Sequence, residues 1–261
     1  THNTGSTLNF TGNLTIASGT NTGFNATGGG TVSATATNTL ASTTGTALNV
    51  ANTTIGASGL TFRSISANGG ANGIVLDTTG ALGGLTVTGS GTAGSGGTIQ
   101  NMTGADGAVA GTGIYLTSTR NVSLARMQLN DFSNSGITGR NVDGFQLTDS
   151  VINGVIGTSS GPVEGPITMG ITNPGGLNGL QGTGLIRNTK ISGGIEHNLE
   201  FYNQSGAMDL TIDGTNPVSE GANPTSAADD VADCAIGFNS AGSGSDGVQI
   251  EMQGTATATI V

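Results

Sequence analysis

Two segments of this chain repeat one pattern: Val122-x-Leu124-x-Arg126 and Phe145-x-Leu147-x-Asp149 each read apolar, x, apolar, x, turn position. They sit within the stretch Gly113 to Ile152, where further apolar residues recur at Leu129 and Ile152, and Leu124 and Leu147 lie 23 residues apart. A period in the twenties with strand-like alternation inside each unit specifies a stacked solenoid rather than a globular sheet or a helical bundle.

The same pattern recurs along most of the chain, at Leu14-x-Ile16-x-Ser18, Ala34-x-Ala36-x-Asn38, Leu60-x-Phe62-x-Ser64 and Leu85-x-Val87-x-Gly89. After the two central copies come Gly184-x-Ile186-x-Asn188, Leu210-x-Ile212-x-Gly214 and Ile250-x-Met252-x-Gly254. Together these predict an all-β parallel solenoid of about nine coils. The shorter steps, 20 to 26 residues, accommodate three short strands and their turns. Stacked at ~4.8 Å per coil they give a rod about 40 Å long. The turn column is mostly Gly, Asn or Ser, as expected where the backbone bends sharply, and Arg126 is its exception. Three intervals exceed a basic coil by roughly 13 to 17 residues, from Gly89 to Val122, Ile152 to Gly184 and Gly214 to Ile250. Their Gly- and Pro-rich contents read as three long loop insertions, which on a solenoid commonly emerge on one face, often the binding face.

A solenoid grows linearly, so residues 1–261 are expected to form a single domain. Within it, 1–59 is a low-complexity stretch rich in Gly, Thr and Asn, with Ala in place of larger apolar residues, and 60–254 holds the better-defined coils. The Ala-rich end is expected to be less stable. With 48 Gly, 8% charged residues, 3% aromatic and no Trp, the core must be thin and aliphatic. Such a composition would suit a disordered chain, but apolar residues recurring in register decide for a folded one. A net charge of −10 argues against nucleic acid or an anionic membrane as partner and leaves neutral glycans, cations and proteins. The lone Cys234 forms no internal disulfide and reads as a small buried hydrophobe. No run approaches 18 apolar residues, so no transmembrane helix is expected. The chain begins Thr-His-Asn, which reads as a processed product or excised fragment, and its strand-like end, Thr255 to Val261, lacks a polar cap. A neighbouring segment or another molecule is expected to cover that end.

The segments G-I-Y-L, N-V-S-L-A-R-M-Q-L and F-Q-L-T-D-S-V-I between Gly113 and Ile152 give the chain its likeness to known proteins. With them it resembles the right-handed parallel β-helix superfamily, which includes pectate-lyase-like enzymes, phage tailspikes and passenger regions of secreted bacterial surface proteins. The resemblance extends from Leu14 to Met252 and implies a right-handed coil. The Gly-, Thr- and Asn-rich N-terminal part looks most like repetitive bacterial adhesin and autotransporter passengers, which implies a cell-surface or extracellular setting.

Superfamily enzymes acting on polygalacturonate place clustered acids on neighbouring coils. Here the outward residues of the best-defined strand read Thr15, Thr35, Thr61, Thr86, Ser123, Gln146, Leu185, Thr211 and Glu251. The adjoining column reads Ala17, Thr37, Arg63, Thr88, Ala125, Thr148, Arg187, Asp213 and Gln253. Neither pairs carboxylates on adjacent coils, as acid–base glycosidase chemistry requires, and the family hydrolases' Asn-Thr-Asp and Gly-His-Gly motifs are missing. The Thr column also invites an ice-binding reading, which Gln146, Leu185, Arg63 and Arg187 interrupt. Within Glu196-His197-Asn198-Leu199-Glu200, alternation turns Leu199 and Phe201 inward and Glu200 outward, and His197 is expected on a solvated strand edge. The run Asp229, Asp230, Asp233 with Glu220 offers oxygen ligands for a structural Ca²⁺, though without a fixed loop geometry. Asp246, in Gly242-x-Gly244-x-Asp246-x-Val248, sits in a pattern similar to one Ca²⁺-binding nonapeptide of RTX proteins.

The expected function is a structural or adhesive segment of an extracellular bacterial surface protein, a rigid rod presenting loops to a glycan or protein, with no catalytic residues and no cofactor beyond that Ca²⁺. The alternatives are a polysaccharide lyase or glycoside hydrolase with its site on another strand, and an end-to-end fibre-forming subunit.

Overall fold

The computed structural model describes residues 4–159, 164–170, 177–195, 197–213, 230–231, 234–235 and 248–261. Among these, every regular element is a strand, and no helix is long and apolar enough to cross a membrane. The strands form long parallel sheets, apart from the short antiparallel pair Asp230–Val231 and Cys234–Ala235. Among the described residues no closed barrel is present, and the architecture is consistent with a β-solenoid. The side chain of Cys234 lies outside those described.

Three stacks of strands enclose the core. The first carries the repeat read from the sequence: Phe62, Val87, Leu124, Leu147, Ile186 and Ile212 pair in that order, each level with the next. The second runs through Ala67, Ile99, Leu129, Ile152 and Ile191. The third runs through Phe24, Leu48, Ile74, Ile114, Ile137, Ile167 and Leu199. Two long strands, Thr112–Ala125 and Ile137–Thr148, serve both the first and third stacks. They turn from one to the other through left-handed backbone at Ser118 and Asn121, and at Asn141 and Gly144.

The interior is aliphatic, and one hydrophobic cluster runs from Phe24 to Leu210. Each buried Leu, Ile or Val contributes about 1.5–3 kcal/mol through removal from water. At one level of the third stack a small residue makes room for large neighbours: Gly139 stands between Leu116 and Met169, and a methyl group on it would overlap the Met169 sulfur. At the Ala-rich end aromatic rings fill the space, with Phe24 set edge-on to Phe10 at 5.6 Å and to Phe62 at 6.0 Å.

Two of the repeat's outermost copies belong elsewhere. Ile16 is level with Leu40, in the second stack, whereas the residue level with Ala34 in the first stack is Phe10. Ile250 and Met252 are level with Phe201 and Asn203, in the third stack, whereas the strand laid on Ala207–Asp213 is Thr257–Ile260. Thr15 and Glu251 accordingly leave the outward column, which holds as Thr61, Thr86, Ser123, Gln146, Leu185 and Thr211.

Arg126 proves to be in register. It takes the left-handed conformation with φ of 59°, beside 64° at Gly89, 52° at Asp149 and 49° at Asn188. Its guanidinium donates to the Thr88 carbonyl at 3.1 Å and pairs with Asp149 at 3.3 Å, and Asn188 donates to Asp149 at 3.2 Å. A polar ladder therefore climbs this corner, and it offsets the cost of an Arg at positive φ. Similar exposed pairs, Arg120 with Asp143 and Arg187 with Asp213, link other levels and are each worth under about 1 kcal/mol.

The inside and outside of one strand should respond differently to truncation. Leu124→Ala is expected to lower unfolding free energy by about 2–5 kcal/mol, whereas Ser123→Ala, one residue away, should stay within about 0.5 kcal/mol. Urea unfolding followed by circular dichroism measures both, and equal effects would contradict the register.

Candidate functional site

The residues singled out in the sequence are not gathered into a site. Asp229, Asp233, Asp246 and Glu220 lie outside the described residues; Asp230 is described only as part of its short strand. Glu196 is also outside them, and His197 is buried at 7% exposure, so the solvated strand edge expected for it is wrong. Alternation on Leu199–Asn203 holds, with Leu199 and Phe201 in the core; yet Glu200, on the opposite side, is buried too. Among the described residues no three His, Cys, Asp or Glu side chains are grouped to hold a metal ion.

The long intervals are more informative. The segment 103–111 belongs to the first and the described residues 157–159 and 164–166 to the second, and they flank the corner 133–136 that lies between them in the third stack. That corner anchors the first loop. Asn134, buried at 3% exposure, directs its Nδ2 at the carbonyls of Ala105, Ala108 and Ala110 at 2.9, 2.8 and 2.6 Å. Ser133 Oγ accepts the Gly104 N–H at 2.8 Å, and Asn72 Nδ2 donates to the carbonyls of Val109 and Thr112 at 2.7 and 2.8 Å. A chain with few charged groups thus orders a nine-residue loop with amide side chains that replace a missing strand partner.

Over the corner the two loops meet at a pair of acids. Glu164, 1% exposed, accepts the backbone N–H groups of Thr158 at 2.7 Å and Ser159 at 3.2 Å from its own loop, and of Gly107 at 3.3 Å from the other. Asp106, exposed on the first loop, accepts from Ser159 Oγ at 2.9 Å and Thr158 Oγ1 at 3.5 Å, and lies within hydrogen-bonding reach of Glu164. Packing is close: a side chain at Gly157 would overlap Ile195 and press on Glu164.

Burial pushes the Glu164 carboxyl above the ordinary 4.5; the three backbone donors pull it back, and the Asp106 carboxyl adds to the rise. Chemically the two acids tie the loops together as acceptors, and of the two it is Asp106 that presents a carboxyl to solvent.

Sequence reasoning located the loops but missed this pair. The available signal was a lone acid within Pro162-Val163-Glu164-Gly165-Pro166, a turn-rich segment of a charge-poor chain. No protein-family model, no curated protein and no solved structure matches the chain.

If Asn134 organises the first loop, Asn134→Ala should leave three carbonyls without their donor, at about 1–3 kcal/mol. Limited proteolysis should then cut within 104–110 while the strand content is unchanged, and unaltered protection of that loop would contradict the assignment.

Proposed function

We propose that this chain is a structural or adhesive segment of an extracellular bacterial surface protein, a right-handed parallel β-helix of about nine coils that presents its long loops to a glycan or protein. The observation that carries this reading is the meeting of two long intervals over one corner, which makes an ordered loop platform from segments a solenoid does not need for its own stacking. The outward columns of the first stack support it, since Thr61, Thr86, Ser123, Gln146 and Thr211 offer hydroxyl and amide groups suited to sugars or peptides. A rod of stacked coils fixes such a platform at a set distance from whatever carries it.

The test is binding of the immobilised chain to arrayed neutral and acidic glycans and to surface-protein extracts. Retained ligand is expected to be lost when 104–110 is replaced by a short Gly-Ser turn that leaves the strand content unchanged. Release of reducing ends or unsaturated sugars from a polysaccharide panel would overturn the reading.

A second reading, polysaccharide lyase or hydrolase, draws on Glu164 beside Asp106, because a carboxyl made a weaker acid by burial suits proton transfer. Burial of Glu164 speaks against direct contact with a substrate. Under this reading Asp106→Asn abolishes depolymerisation, and the binding reading has no depolymerisation to lose.

A further inference from the structure

Six Lys and Arg stand against 16 Asp and Glu in this chain, so each cation has carboxylates to choose from. Arg120, Arg126 and Arg187 each pair with an Asp one level away. Arg140 has no such partner. Its guanidinium makes no ion pair and donates no hydrogen bond; Nε is shut off from water without an acceptor, and the Nη end is open to solvent. The guanidinium lies instead over the Tyr115 ring, 6.0 Å from its centre, which fixes its plane. A donor orphaned in this way costs free energy and calls for an acceptor that the fold itself does not supply.

The surroundings of Arg140 are built wholly from strands. Asn72–Asp77, Thr112–Ala125 and Ile137–Thr148 lie side by side in the third stack, and their outward residues form a grid of two columns. Val75, Tyr115 and Thr138 make one column; Asp77, Thr117 and Arg140 make the other. Val75 and Tyr115 are half-buried, an apolar and aromatic strip beside a polar one. Thr138 is engaged with Thr168 at 3.1 Å, whereas the Tyr115 phenol and the Thr117 hydroxyl, the latter level with Arg140, hold no hydrogen bond. Asp77 lies two levels from Arg140, about 10 Å, too far to pair with it.

We propose that this grid is a docking site for an extended protein segment carrying one Asp or Glu two residues from an apolar side chain: Arg140 clamps the carboxylate beside the Thr117 hydroxyl, and the apolar residue rests on Tyr115 and Val75.

The spacing follows from strand geometry, since residues i and i+2 of an extended chain are about 7 Å apart, the same step that separates the two columns. Charge selects the class of partner. A polymer with an anion on every unit sets further charges against Asp77 and against the net charge of −10, whereas a segment with a single carboxylate does not. Arg and Tyr are also the side chains that most often anchor protein interfaces.

Selection from a random peptide library on the immobilised full chain tests this. Retained peptides are expected to be enriched in an apolar residue two positions from an Asp or Glu. One such peptide, synthesised, should change tyrosine emission, because the chain has no Trp and Tyr115 is one of two Tyr. Arg140→Gln should weaken that peptide at least about tenfold. Arg140→Lys, which keeps the charge but loses the planar fork, should weaken it too. Arg63→Gln, at an exposed Arg that likewise makes no ion pair, should leave the affinity unchanged, with the same strand content by circular dichroism in all three variants. No such enrichment, or equal affinity in wild type and both Arg140 variants, would overturn the proposal. Retention of an oligogalacturonate in place of the peptide would overturn it as well, in favour of acidic sugars. Replacing 104–110 should leave this affinity in place, so failure here is distinct from failure of the loop platform to bind.

Discussion

The register between parallel strands is the constraint on which the rest of this structure depends. Each coil hydrogen-bonds to the next, so a side chain's neighbours are its counterparts one level away, and an interior position stays interior only while the stacking keeps step. Leu124 between Val87 and Leu147, or Leu129 between Ile99 and Ile152, is buried by this rule and not by a tertiary fold drawn from distant elements. A slip by one residue would turn an entire column to solvent, which is why volume differences are settled within a column, as at Gly139 and Met169.

Corners are held by a different set of groups. A short coil must bend sharply several times, and left-handed backbone at Asn, Asp, Ser and Gly supplies the bends. At Asn101, Asp131, Asp149 and Asn188 the polar side chain also reaches one level up or down, so that the residue that permits the turn ties it to its neighbour. Arg126 shows that a residue poorly suited to the conformation is kept where its side chain spans levels on both sides, touching Thr88 and Asp149.

This division explains what could be read from the sequence. The first stack was legible from Leu60 to Ile212 because alternation and period agree there. Its ends were misread because Ile16 and Ile250 satisfy the same alternating pattern on other faces, and three faces built from one kind of strand are indistinguishable once coil length varies. His197 was misjudged for a related reason: alternation tells inside from outside, but not whether something covers the outside. The site was less legible than the scaffold. Loop boundaries showed in Gly and Pro content, whereas the importance of Glu164 arises from burial beneath a loop 57 residues away in sequence, and no local pattern encodes that meeting.

That meeting also alters how the solenoid should come apart. In a stack where each level touches only the next, levels can melt one after another from an end, and the free energy is a sum of units and adjacent interfaces. Contact of Asp106 and Gly107 with Thr158, Ser159 and Glu164 reaches past the level that bears Asn134 and joins its two neighbours. Three levels thereby become one cooperative block, so this part of the stack is set to yield in a single step while the levels outside it fray in turn.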